Sequence, residues 1–328
     1  MIRNKKKETF IHSILIVILV LTMIPFLFVL NNSLRTGTEI YHSFFGAPRS
    51  IRNMAKFTYY QVSGKKDKIR LKVPEENEQG EEEIDAGFIE KRLPYSDAMK
   101  RSKEDLTKGY RFSWKYLRGY MLNSFLVCLV TAAGVILIGS ISAYIFSRYK
   151  FPGHRILFIL VLSIMMIPGI LTLVPSFLLV KKLGLLNSYW VLILPYIAGG
   201  QILAIFLFKS FFDGIPEDLF ESARIDGAGH LRLYWHIILP LSRPIISVVA
   251  ILNILGTWNN FLWPFITNTD SSYHVVASGL YLMGQSPAAT NPSTMYAAYF
   301  LSSIPLLVLF IFATKPFLRG VTSGAFKA

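Results

Sequence analysis

Apolar runs of about 20 residues recur along this 328-residue chain, each long enough to cross ~30 Å of hydrocarbon as a helix. Charge is distributed accordingly. Of the 34 basic and 20 acidic side chains, 31 fall within residues 31–118 and only 23 in the other 240 positions. The formal net charge of +14 does not mark a nucleic-acid binder, because the Lys and Arg flank apolar runs instead of gathering on a folded basic surface. Cys128 is the sole cysteine and lies inside one of the runs, which excludes an intrachain disulfide and a Cys-based metal cluster. The expectation is an all-α, polytopic membrane protein.

Six transmembrane helices are predicted, near 10–30, 120–145, 156–178, 189–212, 242–266 and 296–317. An even number places both termini on one side. The short segments on that side carry 14 basic residues, among them Lys5, Arg148, Arg155, Arg232 and Arg319, whereas the opposite short segments carry only Lys181 and Lys182. The positive-inside bias makes the termini cytoplasmic, and the long 31–118 segment escapes that rule. The N-terminal basic cluster and apolar run resemble a secretory signal, but the run is too long and lacks a small-residue cleavage site, so it reads as a retained first helix. Pro25, Pro168 and Pro175 shape or terminate helices within the runs.

The predicted division is a cytoplasmic N-terminus with its first helix over 1–30, a charged extracytoplasmic segment over 31–118, a five-helix core over 119–317 and a cytoplasmic tail over 318–328. The 31–118 segment has few large apolar side chains and is expected to be a flexible or partly helical excursion; the alternative is that it becomes ordered on an external partner. Aromatic residues near its ends, including Tyr59, Tyr60 and Trp114, suit a membrane interface.

The predicted spans hold no Asp or Glu, which argues against a carboxylate-coupled ion-driven carrier. The chain also lacks a phosphate-binding G-x-x-x-x-G-K-[ST] loop, so nucleotide energy must come from another subunit. The 213–244 segment offers a place for that subunit to act. Pro216 suits a first helical position, and Glu217, Asp218 and Glu221 place negative charge in the first turns. Leu219, Phe220 and Ala223 group on one side of the resulting helix, beside Glu221 and Arg224. Asp226, Gly227 and Gly229 turn the chain into a second short helix near 230–238. By physics alone, such an amphipathic hairpin either docks a partner or lies on the membrane surface.

Glu221-Ser222-Ala223, Asp226-Gly227-Ala228, Ile237-Ile238-Leu239-Pro240 and Pro244 resemble the EAA loop of ABC importer permeases, with Ser222 in place of the usual middle alanine. Further matches are Asn123-Ser124, Ala143-Tyr144 with Arg148, Phe151-Pro152-Gly153, Met166-Ile167-Pro168, Leu183-Gly184-Leu185 with Asn187, Trp258-Asn259 with Pro264, and the tail from Gly320 to Lys327. Together they resemble the carbohydrate-uptake branch, on the side of the maltose-permease G subunit, over nearly everything except about 45–108. The resemblance implies a type I permease fold in a bacterial cell membrane. It also implies a second permease subunit, as a heterodimer partner in the family's usual pattern, two ATP-binding subunits and an extracytoplasmic solute-binding protein. ATP and Mg would be used by the partner ATPase, with no cofactor bound and no catalysis performed by this chain. In the family's pattern the ATPase grips the helix bearing Leu219 to Arg224, with Asp226 and Gly227 at its turn. The long charged excursion departs from the family.

Asn253, Thr257 and Asn260 recur at i, i+4 and i+7, a polar stripe on an otherwise apolar predicted helix. Their groups suit sugar hydroxyls, and Trp258 offers a flat face for a sugar ring; hydrogen bonding between helices is the competing reading. Asn259, Gln201 and Tyr144 are further candidates for the substrate pathway. The expected function is ATP-driven sugar import, with a permease for a polyol, glycerol phosphate or modified sugar, and a membrane scaffold or receptor, as rivals.

Overall fold

The structure is a computed structural model that describes residues 5–65, 69–74 and 88–325, with side chains described over 10–65, 69–72, 90–287 and 290–314. Lys327, the side chains of Lys315 and Arg319, and the acidic centre of the charged tract lie outside these residues.

The first helix, α1 (Lys5–Ser33), follows the first apolar run and keeps Pro25 inside it. Its side chains from Phe10 to Ile24 are uncovered by the rest of the chain, as expected of a helix solvated by lipid. A side-chain N-cap then starts α2 (Gly37–His42): the Thr36 side chain accepts from the Glu39 amide, while the Glu39 carboxylate accepts from the Arg49 amide. The turn between them is fixed by Arg35, which donates to Asn32 Oδ1 at 2.7 Å and to the Glu39 carbonyl at 2.6 Å. Burial pushes the Glu39 carboxyl above its ordinary range, against the pull of the Arg49 backbone and of neighbouring arginines.

Helix α3 (Arg49–Val62) turns Phe57 inward. Strands β1 (Arg70–Pro74) and β2 (Phe88–Arg92) follow, paired antiparallel with Arg70 opposite Arg92 and Lys72 opposite Glu90. Apolar and charged residues alternate along β1, so Leu71 is buried while Lys72 reaches Glu90 across the ladder at 3.8 Å. Phe57, Ile69, Leu71 and Ala98 form a small core. Among the described residues the fold is all-α, as expected, apart from this hairpin, and the described parts of 31–118 are partly helical; period-two alternation and a few well-placed apolar side chains suffice for the small core.

Helix α4 (Tyr95–Arg148) runs 54 residues without a break. Next come α5 (His154–Ser163), 3₁₀ turns on either side of Ile167–Pro168, and α6 (Leu173–Lys182). The chain continues through α7 (Trp190–Asp213), α8 (Asp218–Ile225) and α9 (His230–Leu233), then a π-helical turn into α10 (Leu239–Leu241). It ends with α11 (Arg243–Trp258), α12 (Leu262–Thr267), α13 (Val276–Gly284) and α14 (Pro292–Ala325).

Among the described residues, four helices are long and apolar enough to cross a membrane: Phe10–Ser33, α4, α7 and Pro292–Thr314. The number becomes six if each bent pair is one span, His154–Met166 with Gly169–Lys182 at 94°, and His230–Leu241 with α11 at 75°. The predicted span 242–266 is corrected, since its helix stops at Trp258 and a new one begins at Leu262.

The chain divides into two compact units, residues 1–118 with 280–304, and residues 119–279 with 305–328. The candidate sites lie in the second. Its main core includes Tyr144, Phe208, Phe212, Phe220, Ile238 and Val249, contributed by α4, α7, the α8–α10 segment and α11. Another cluster packs Val127, Val191, Leu192, Trp263 and Val275.

Candidate functional site

Between α7 and α11 lies a cleft of about 340 Å³, at the lower end of the ~300–1,000 Å³ typical of small-molecule sites. It exists because glycines let the helices approach: a Cβ on Gly200 would stand 2.7 Å from Val135 Cγ2 and 3.0 Å from Asn253 Nδ2. Asn253, Thr257 and Asn260 all line it, joined by Tyr196. The lining is apolar otherwise and contains no charged side chain. Asn253 Oδ1 and the Tyr196 hydroxyl are buried without a hydrogen-bond partner among the described residues. A buried polar group left so is costly, and one that faces a cleft is satisfied by whatever enters it. A recess of about 200 Å³ shares Pro195, Tyr196 and Asn260 with the cleft.

Asn260 reaches this place by an unexpected route. It lies past the end of α11, where its Oδ1 accepts from the Trp263 amide at 3.2 Å and so caps α12. Asn259 is exposed, its amide donating to the Leu255 carbonyl at 2.9 Å. Trp258 is only 4% exposed and packs edge-on against Phe125, with centroids 5.2 Å apart. Gln201 is absent from the cleft lining; neither of its amide atoms has a partner, and its Oε1 lies 3.2 Å from where a Cβ on Gly139 would stand. Tyr144 is elsewhere again, packed on Tyr149 and Tyr234 with its hydroxyl 3.3 Å from His230 Nδ1. Tyr196 was missed in the sequence, although Pro195 and the Gly199–Gly200 pair around it signal a helix with a close neighbour.

The second site is the α8–α10 segment. Helix α8 starts at Asp218 with Glu217 at its N-cap, so Pro216 precedes the helix instead of occupying its first turn. At its other end Gly227, at φ +77°, closes a Schellman motif: the Gly227 amide donates to the Arg224 carbonyl and the Ala228 amide to the Ala223 carbonyl, each at 2.9 Å. Phe220 is fully buried and Ala223 packs against the core, whereas Leu219, Glu221, Ser222, Arg224 and Asp226 are exposed. Exposed Ile225, Leu231 and Trp235 extend the apolar surface beyond Leu219. The end of α4 meets both this segment and α7: the Ser140 hydroxyl lies 2.7 Å from the Tyr234 hydroxyl, and Ser147 donates to Asp213, the last residue of α7, at 2.7 Å.

A loop over 268–275 is clasped by amides. Asn123 Nδ2 donates to the Ser272 and His274 carbonyls, each at 2.8 Å, while Asn187 Oδ1 accepts from the Thr269 and Asp270 amides. His274 is 3% exposed, with Nδ1 3.0 Å from the Ser278 hydroxyl. Burial holds its imidazole below the ordinary 6.5, against the opposing pull of Asp270.

A family model described as "Binding-protein-dependent transport system inner membrane component" matches residues 135–323, which include the cleft and the α8–α10 segment. The chain is similar to the galactooligosaccharides transport system permease protein of Bacillus subtilis, at 39% identity over 66% of this chain and 76% of that one. It is also similar to the sn-glycerol-3-phosphate transport system permease protein of Yersinia pestis, at 34% identity over 62% of this chain and 72% of that one. In fold it resembles a crystal structure of a bacterial ABC transporter involved in the import of the acidic polysaccharide alginate, with TM-score 0.65, 16% identity, and coverage of 96% of this chain and 98% of that chain. Matched over more than half its length, and carrying helices long and apolar enough to cross a membrane, the chain belongs to the binding-protein-dependent transport system inner membrane components, the non-catalytic permease subunits of ABC importers.

Proposed function

We propose that this chain is one of two permease subunits of an importer that carries a neutral sugar, in the form of an oligosaccharide, into a bacterial cytoplasm. The observation that carries the reading is the cleft lining: amides, a hydroxyl and a phenol, two of their polar atoms unpartnered, and no charge. Such groups both donate to and accept from sugar hydroxyls, whereas a phosphate ester calls for a cation. The galactooligosaccharide relative supports the same choice, and the glycerol-phosphate relative supplies the competing one.

In this reading the termini and the α8–α10 segment are cytoplasmic. An ATP-binding subunit, which uses ATP and Mg, seats on the exposed surface around Leu219, Glu221, Ser222, Arg224 and Asp226. Its closure moves α8, and the two permease subunits, a heterodimer, open outward to receive solute from an extracytoplasmic binding protein. The test is ATP hydrolysis by the complete importer with its binding protein, challenged with a panel of neutral oligosaccharides and with sn-glycerol-3-phosphate. Stimulation by a neutral oligosaccharide is expected, and stimulation by the phosphate ester alone overturns the substrate class. Glu221→Ala and Gly227→Pro are expected to abolish uptake with the complex still assembled; normal uptake in both overturns the coupling role of the segment.

A further inference from the structure

Arg148 is the last residue of α4, and its guanidinium gathers three elements of the second unit. It donates to the Phe212 carbonyl, in the last turn of α7, at 2.6 Å and to the Ile215 carbonyl, in the link from α7 to α8, at 2.9 Å. It pairs with the Glu217 carboxylate at the N-cap of α8, and it lies over the Phe220 ring at 4.0 Å. The Arg148 side chain is 8% exposed, so its bonds to the two carbonyls and its contact with the ring are little screened by solvent, whereas Glu217 is 48% exposed. The C-terminal ends of both α4 and α7 present partial negative charge to it. Arg224 approaches the other oxygen of Glu217 at 3.6 Å from the exposed side, which leaves Arg148 as the inner contact.

A planar fork can meet two carbonyls, a carboxylate and a ring face at once; a lysine ammonium cannot. Without Arg148, the contacts binding α8 to α4 and α7 would be Phe220 and apolar neighbours, which resist separation but permit sliding. We propose that Arg148 is the positioning residue that locks α8 to the ends of α4 and α7, so that a push on α8 moves both spans as one body. This rests on the coupling role of α8 proposed above.

The test uses the assembled importer in lipid nanodiscs, with Arg148→Gln, Arg148→Lys and Glu217→Gln in the full chain. Hydrogen exchange of the 217–225 amides is expected to accelerate about tenfold or more in Arg148→Gln and by a smaller factor in Arg148→Lys and Glu217→Gln, with α11 amides unchanged. Uptake per ATP hydrolysed, measured with the oligosaccharide that stimulates the unaltered importer most, is expected to fall at least tenfold in Arg148→Gln and to recover partly in Arg148→Lys. Unchanged exchange overturns the proposal. So does acceleration spread evenly over α4, α7 and α11, or a proportional loss of uptake and hydrolysis, since each marks a merely structural role. Failure of the coupling reading shows itself separately, as normal uptake in Glu221→Ala and Gly227→Pro.

Discussion

Asn253 and Trp258 stand five residues apart on α11 and answer to different physics. Asn253 Oδ1 is buried without a partner, so the chain gains nothing in stability from it. Replacing it by leucine, similar in size and apolar, is expected to leave thermal unfolding within about 1 kcal/mol of the unaltered protein or to raise it, while uptake falls at least tenfold. Unfolding in detergent and uptake in proteoliposomes read the two effects apart; unimpaired uptake would remove Asn253 from the pathway. Trp258 reverses the pattern. Its ring is covered and rests on Phe125, and Trp258→Ala is expected to cost about 3 to 5 kcal/mol in unfolding, against a small change in Trp258→Phe. Selective loss of transport in Trp258→Phe, with stability kept, would restore the ring as a solute contact.

At the scale of elements, the close approach of α7 to α4 and α11 depends on Gly200. In Gly200→Ala the new methyl meets Val135 and Asn253, and the helices must part or the side chains leave their rotamers. A loss of about 1 to 3 kcal/mol is expected, with a larger loss in Gly200→Val, measured by unfolding in detergent. The 268–275 loop carries a pH dependence. Burial lowers the His274 pKa in the folded loop, so the unfolded loop binds the proton more readily; local stability is present above the ordinary imidazole value of 6.5 and is lost as pH falls below it. Hydrogen exchange of the loop should therefore accelerate on acidification, and His274→Gln should remove that dependence.

Much at this scale was legible. The apolar runs located α1, α7 and the membrane half of α4, and acidic first turns with a glycine turn located α8 and Gly227. The end of α11 was not legible, because hydropathy continues smoothly through Phe261 and Leu262. The helix stops instead through polar detail, Asn259 folding back on Leu255 and Asn260 capping α12, and such local side-chain bonds leave no mark on an apolar average. Asn260 therefore reaches the cleft from a turn, not from the helical stripe its spacing suggested. The contacts of Arg148 were hidden for another reason: at the end of an apolar run it reads as topology, and only the fold brings Phe212, Ile215 and Glu217 around it.

For the molecule as a whole, the proposed orientation has a direct check. Cys128 is buried, at 3% exposure, so background labelling of thiols should be small. In intact cells a membrane-impermeant maleimide is expected to modify Phe45→Cys, a site 83% exposed, and to reach Lys150→Cys, exposed in the turn after α4, only after permeabilisation. The opposite pattern would invert the topology. The shortness of α11 has a consequence for this membrane-embedded molecule. Its 16 residues rise only about 24 Å, less than the ~30 Å of hydrocarbon, and the shortfall is taken up where Asn259 and Asn260 interrupt the helix. Hydration can enter at that interruption, so in the proposed reading a solute arriving among these amides would displace water instead of filling a dry void. The net gain per hydrogen bond is then small, and a small gain is what allows a carrier to release its cargo as readily as it takes it up.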